Sequence, residues 1–211
     1  MSVNSFALPF AFAAVAALVL AGGGYLVCPD GQCRLLVGDA SGLMWFEAWR
    51  TPWLDRIFWL LTWGGSIFVL LPVSALVAWH GYRREGASWS VAAFVPAALT
   101  SAALLAYLTK LVVARPRPEI FPALIAMPAD ASFPSAHCMQ VTAFATACLL
   151  RPTGCMRPDI ALSLLTVVAV VAFSRVYLQV HFPSDVVFGV LAAVFWVLAL
   201  RHLPPWWESR R

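Results

Sequence analysis

Three stretches of this chain contain no Asp, Glu, Lys, Arg or His: residues 1–29, 57–79 and 86–109. Crossing the hydrocarbon core of a bilayer takes about 20 consecutive apolar residues, so each stretch is long enough to span. In lipid the backbone must satisfy its own hydrogen bonds, which makes long apolar runs helical. Composition agrees. The chain is 62% hydrophobic and 11% charged, against about 25% charged in soluble domains. A soluble enzyme, a disordered chain and a nucleic-acid-binding domain are excluded. The net charge of +4 is no argument for nucleic acid, because it sits in short loops.

Three shorter charge-free runs follow, 138–150, 160–174 and 186–200. Each reaches about 20 residues only by taking in an ionisable residue near one end: 131–150 includes His137, 160–180 includes Arg175, and 183–202 includes Asp185. Polar groups at membrane depth are costly and mark function by default. The expected fold is all-α, an integral membrane bundle of six transmembrane helices over about 6–27, 57–79, 88–112, 133–150, 160–176 and 183–201. A short interfacial helix over 43–53 is expected between the first two. There Trp45, Trp49 and Trp53 recur every four residues with Phe46 alongside, and Trp59 and Trp63 continue the spacing, the pattern of a helix lying in the headgroup layer. Trp206 and Trp207 read as an aromatic belt at the far end. No repeat or linker divides the chain, so residues 1–211 read as one domain. The first run lacks a basic n-region and exceeds a typical leader core, so it reads as a span.

An even number of spans puts both termini on one side, and basic residues choose the side. Arg83, Arg84, Arg151, Arg157, Arg201, Arg210 and Arg211 fall on the side of the termini. Arg34, Arg50, Arg56, Lys110, Arg115, Arg117 and Arg175 fall opposite. The tie breaks once cations that serve a site are set aside. The termini are then cytoplasmic, and loops 28–56, 113–132 and 177–182 face outward, in a bacterial inner membrane with the site on the periplasmic or extracellular side. Cys28 and Cys33 flank a Pro-Asp-Gly turn. On an oxidising face they can pair or remain two free thiols. Cys138 and Cys148 read as packing residues, and Cys155 shows no pairing pattern.

Three segments converge on the outer face: Lys110 to Pro118, Phe133 to His137, and Ser174 to Asp185. Lys110, Arg117 and Arg175 are three cations at one site, which is unfavourable unless an anion binds. Arginine suits phosphate oxygens with its planar fork, and lysine adds a compact charge. Arg115 reads as a membrane anchor or a secondary phosphate contact. Pro134 suits the first position of a helix. The amides of Ser135, Ala136 and His137 would then be first-turn donors, the makings of an anion site. Neutral imidazole is a competent nucleophile, and imidazolium a competent acid near neutral pH. Asp185, four residues after His181, can hold the proton on one ring nitrogen and free the other to attack phosphorus. His137 can protonate the leaving oxygen. Zinc held by His137, His181 and Asp185 is disfavoured by the three cations, so neither metal nor cofactor is expected.

These segments resemble the type 2 phosphatidic acid phosphatases, the membrane branch of the superfamily that includes vanadium haloperoxidases. The family pattern is K-x6-RP, then PSGH, then SR-x5-H-x3-D. Lys110, Arg117 and Pro118 match the first part; Pro134, Ser135 and His137 the second; Ser174, Arg175, His181 and Asp185 the third. Ala136 stands where the family usually has Gly, and the negative φ of a first helical turn should tolerate it.

The resemblance implies metal-independent hydrolysis of a lipid phosphate or diphosphate in two steps. His181 attacks and forms a phosphohistidine. His137 protonates the leaving group and then activates water. Asp185 orients His181. Lys110, Arg117, Arg175, Ser135 and the Ala136 amide hold the phosphoryl oxygens. Phosphatidylglycerol phosphate, undecaprenyl diphosphate, phosphatidic acid and lipid A phosphates all fit as substrates. Specificity is expected in loops 28–56 and 119–132. Transfer to another lipid, or anion transport without chemistry, are the alternatives. Membrane lipids are the expected partners, and no motif specifies an oligomeric state.

Overall fold

The computed structural model describes residues 4–84, 86–151 and 157–203. Cys155, Trp206, Trp207, Arg210 and Arg211, used above, lie outside the described residues. Among those residues every regular element is a helix. The α-helices are α1 (Asn4–Val27), α2 (Asp39–Ala48), α3 (Pro52–Leu61), α4 (Ile67–Arg84), α5 (Trp89–Ala92), α6 (Phe94–Val113), α7 (Ala136–Leu149), α8 (Pro158–Tyr177) and α9 (Pro183–His202).

Ala7–Gly31, Phe94–Val113, Pro158–Tyr177 and Pro183–His202 are each long and apolar enough to cross a membrane, and Pro52–Gly65 with Ile67–Arg84 makes a fifth if the bent pair counts as one span. Large apolar side chains on these helices face outward, Leu18 at 70% exposure, Phe68 at 81% and Leu162 at 67%. Contiguous apolar surface of this kind is what lipid covers. The chain is a membrane protein. α7 is different: it is 14 residues long, about 21 Å at 1.5 Å per residue. Ten of those residues, from Cys138 to Cys148, are buried, the signature of a helix enclosed by others. It packs against α4, α6, α8 and α9 and forms the axis of the bundle.

Several boundaries differ from the sequence expectation. The run 57–79 is not one helix. Thr62–Gly65 is a 3-10 turn, Ser66 is extended at φ −75° and ψ 135°, and the axes on either side differ by 47°. Two adjacent glycines weaken the helix. Ser66 then starts α4, its hydroxyl accepting from the Phe68 amide at 3.3 Å. The single interfacial helix over 43–53 is instead two, α2 and α3. Thr51 precedes Pro52, which disfavours helical backbone; Thr51 is extended, and its hydroxyl accepts from the Leu54 amide at 3.2 Å. The tryptophans remain exposed as expected, Trp45 at 57%, Trp49 at 60% and Trp53 at 69%.

The run 88–112 divides into α5 and α6 at Ala93, where Pro96 supplies no amide for the Ala92 carbonyl. The fourth expected helix starts later than 133. Phe133-Pro134 is a cis peptide, Ser135 is the N-cap, and Ala136 is the first helical residue. Pro134 therefore lies before the helix, not at its first position. The last two expected helices hold to within two residues at each end. Cys28 and Cys33 form a disulfide, and Cys138 and Cys148 are free and buried.

Candidate active site

Three chain reversals at one end of the bundle build the site. α6 ends on Ala114 in the left-handed region at φ 50°, its amide bonded to the Lys110 carbonyl at 3.0 Å. That cap turns the chain sharply, so Lys110 stays on the last turn while Arg115 and Arg117 point back across the bundle. α7 begins at Ala136, capped by Ser135, and packs beside α9. α8 ends at Tyr177, and Pro183 opens α9. There the Asp185 carboxylate reaches back to the Phe182 amide at 3.0 Å, one half of a capping box.

His181 sits at the centre and is 1% exposed. Its Nδ1 lies 3.5 Å from Asp185 Oδ2 and 3.4 Å from Ser132 Oγ. Ser132 Oγ donates to the same Asp185 oxygen at 2.5 Å. On the opposite edge of the ring, Nε2 lies 3.3 Å from Arg117 Nη1. The ring therefore has an acidic side and a cationic side. Burial, and then Arg117, Arg175, Lys110 and His137, hold the His181 pKa well below its ordinary 6.5. The imidazole is neutral at pH 7, and a proton on Nδ1 leaves Nε2 with its lone pair facing the cations.

All three expected cations are present, in different states. Arg175 is 2% exposed and donates through Nη1 to Thr62 Oγ1 at 2.6 Å, while its buried Nε has no partner. Ser135 Oγ is also buried and has no nitrogen or oxygen partner, only the Cys138 thiol beside it. An N-cap serine normally accepts from its own helix; this one does not. Buried polar groups without a protein partner are costly, and both of these can donate to an anion. The Ser135 amide, by contrast, is taken by the Asp185 carbonyl at 3.1 Å. First-turn donation is therefore left to residues from Ala136 onward. Ala136 is not among the positive-φ residues, so its methyl meets no backbone strain.

Lys110 and Arg117 are engaged by a group the sequence reading missed. Asp130 accepts from Lys110 Nζ at 3.1 Å and from Arg117 Nη2 at 2.6 Å. The Asp130 carbonyl also accepts from Arg117 Nε at 2.9 Å, and the Ala131 carbonyl accepts from Lys110 Nζ. Burial raises the Asp130 pKa, but Lys110 and the Arg117 hydrogen bond outweigh it and hold the carboxyl below 3.8. An anion thus already bridges these two cations.

Arg115 is neither a membrane anchor nor a phosphate contact. It is 1% exposed, and its Nη1 donates to Asp185 Oδ1 at 2.6 Å and Ser184 Oγ at 2.8 Å. Its Nη2 donates to Asp39 Oδ2 at 2.8 Å and the Arg34 carbonyl at 2.9 Å. With these acceptors all four of its terminal N–H donors are taken within the protein.

The break in 57–79 also serves the site. Thr62 holds Arg175, and Gly65 lies against His137: a Cβ built on Gly65 would meet Val171 Cγ1 at 2.6 Å and the His137 carbonyl at 3.1 Å. Gly65→Ala is expected to cost about 1–3 kcal/mol through overpacking. It should lower both Tm and kcat, because the clash falls on the backbone that carries His137. An unchanged Tm measured in detergent would contradict the packing described. A cleft of about 360 Å³ opens beside it, bounded by Trp59, Trp63, Phe68, Pro128, His137 and Arg175. A larger apolar cleft of about 510 Å³ between α2, α8 and α9 touches none of the three cations. Among the described residues no three His, Cys, Asp or Glu side chains are grouped to hold a metal ion.

Residues 91–209 match the family model of the PAP2 superfamily. The chain is 36% identical over 126 residues to decaprenylphosphoryl-5-phosphoribose phosphatase of Mycobacterium tuberculosis, a match over 58% of this chain and 63% of that protein. Its fold is that of the PAP2-type phosphatidylglycerolphosphate phosphatase of Bacillus subtilis. The TM-score is 0.70 at 20% identity, covering 92% of this chain and 94% of the other. Aquifex aeolicus LpxE is similar at TM-score 0.62 and 22% identity, over 77% and 93%.

Proposed function

The chain belongs to the PAP2 superfamily, and on that premise we propose that it hydrolyses a lipid phosphate or diphosphate at the outer leaflet, without a metal, through a phosphohistidine. The observation that carries this reading is the pair of buried donors with no nitrogen or oxygen partner, Ser135 Oγ and Arg175 Nε, beside a buried imidazole edged by cations. A phosphoryl group bound there replaces Asp130 as the anion shared by Lys110 and Arg117. His181 Nε2 attacks phosphorus, the P–O bond to the leaving group breaks, and His137 gives that oxygen a proton. Asp185 accepts the Nδ1 proton's hydrogen bond and stabilises the charged ring. Water then attacks the phosphohistidine, His137 takes its proton, and the P–N bond breaks. The Ala136 amide adds a donor to the phosphoryl oxygens.

The cleft bounded by His137 and the exposed Trp59 and Trp63 is where the leaving group lies on this reading, so the lipid approaches from the bilayer beside the break. α7 makes the sixth crossing. α6 and α8 both end at the site, so the chain must return through α7 before α8 begins. Loops 28–56, 113–132 and 177–182 then share the outer face, which suits the disulfide at Cys28 and Cys33. Lipid substrates of the relatives' kind, a prenyl-linked phosphosugar or phosphatidylglycerol phosphate, are joined by undecaprenyl diphosphate, phosphatidic acid and lipid A phosphates. Metal independence is supported by the cation surplus. The test is phosphate release from a panel of these lipids in detergent, with and without EDTA. Release from at least one lipid, unchanged by EDTA, is expected; EDTA-sensitive release contradicts the metal-free step. Labelled donors that deliver phosphate to another lipid rather than to water would assign a phosphotransferase. Phosphate flux in liposomes without turnover would assign a transporter.

A further inference from the structure

Behind His181 lies a buried charged cluster. Asp185, at 0% exposure, and Asp39, at 1%, are bridged by Arg115, at 1%. The Arg115 guanidinium also lies over the Phe182 ring at 4.1 Å. Ser184 tightens the same cluster, its amide and hydroxyl donating to the two Asp39 oxygens at 3.0 and 2.9 Å. The Leu36 amide donates to Asp39 as well, at 3.0 Å. One guanidinium between two carboxylates leaves a net negative charge on the side of the ring away from the cations.

We propose that Arg115 and Asp39 are positioning residues: Arg115 fixes the Asp185 carboxylate with one oxygen toward His181, and Asp39 takes up part of the arginine's charge so that Asp185 stays a strong acceptor. Two consequences follow from the geometry. Arg115 holds Asp185 Oδ1, leaving Oδ2 for Ser132, Phe182 and the His181 ring. A planar fork holds Asp185 from one nitrogen and Asp39 from the other, a spacing that the single nitrogen of a lysine does not reproduce. Removing the Asp39 charge leaves Arg115 pairing with Asp185 alone, which weakens the pull of Asp185 on the Nδ1 proton. The groups that face His181 otherwise are unchanged: Lys110 from α6, Arg117 and Asp130 from the loop after it, Ser132 before α7, His137 on α7 and Arg175 on α8.

The proposal rests on His181 being the nucleophile. The experiment measures the full-length protein in detergent as wild type, Asp39→Asn, Arg115→Lys and His181→Ala, with Tm taken first to confirm folding. Asp39→Asn keeps the shape of the side chain and removes its charge, but also turns one accepting oxygen into a donor, at the least the one that takes the Ser184 amide, so the pH limb rather than kcat alone reads the charge. Both cluster variants are expected to lower kcat by about ten- to a hundredfold, the loss typical of a misplaced reacting group, with KM within about twofold. Asp39→Asn should also shift the acid limb of kcat to lower pH, because a negative charge near the ring has gone; Arg115→Lys, which keeps its charge, should leave that limb in place. Folded variants with wild-type kcat and an unmoved limb overturn the proposal, as does a loss confined to KM. If Arg115→Lys does not fold, Asp39→Asn decides alone. An active His181→Ala variant overturns the reading beneath the proposal and the proposal with it, whereas an inactive one beside a wild-type-like Asp39→Asn overturns only the positioning role.

Discussion

His181→Ala should lower kcat by about four orders of magnitude or more, the loss expected when a nucleophile that acts as a unit with its base is removed. The protein should still fold. The side chain is fully buried, but its polar contacts are few and weak, 3.3 to 3.5 Å at either edge. The firm contacts around it belong to others: Arg115 to Asp185, Ser132 to Asp185 and Arg117 to the Val180 carbonyl. Removing the ring therefore leaves the cluster paired while taking away the proposed nucleophile. Inorganic phosphate should still bind, because the donors from Arg175, Ser135, Lys110 and Arg117 remain. Substantial turnover in a folded variant would remove His181 from the chemistry.

His137→Ala should behave differently, and the difference is diagnostic. On a lipid alcohol the leaving oxygen needs a proton as the P–O bond breaks, so losing the acid should cost about 10² to 10⁴ in kcat. On an aryl phosphate with an acidic phenol the leaving group departs without one, and the first step should be nearly unimpaired. Its second step still lacks a base, so phenol should appear in a burst followed by slow turnover. Equal losses on both substrates would mean that His137 holds the phosphate or the packing rather than moving a proton. Its position favours the first outcome, since it lines the cleft together with Arg175 rather than the far side of His181.

The fold was legible where the sequence is monotonous. Apolar runs marked α1, α8 and α9 to within two residues at each end, because lipid leaves the backbone no alternative to a helix. It was less legible where one apolar run hides a break. Gly64, Gly65 and Ser66 are the signal for the interruption within 57–79, a weak helix interior followed by a good N-cap. Counting charges cannot see it. The consequence reaches the candidate site, for that break carries Thr62 to Arg175 and Gly65 to His137. Similarly, Pro52 announces the division between α2 and α3, which the four-residue tryptophan spacing overrode.

Within the site, the family pattern placed Lys110, Arg117, Ser135, His137, Arg175, His181 and Asp185 at one end of the bundle. What it lacked were their partners. Asp39 meets Ser184 across 145 residues, and Arg115 meets Asp185 across 70; such pairings obey tertiary packing, not local periodicity. Arg115 is instructive because its neighbour Arg117 is so similar in sequence. The left-handed cap at Ala114 and the intervening Pro116 send one guanidinium into the buried cluster and the other to the cationic edge of His181. Asp130 went unread because an acid looks unfavourable beside cations expected to hold a phosphate, and its pairing with Lys110 and Arg117 is set by tertiary packing.

The most direct test of the phosphohistidine account is a rapid quench with a substrate carrying a labelled phosphoryl group, followed by mapping of the label. The account predicts an alkali-stable, acid-labile phosphoryl group on His181, formed within one turnover and absent from His181→Ala. Turnover with no label on the protein, or label on any other residue, would contradict it.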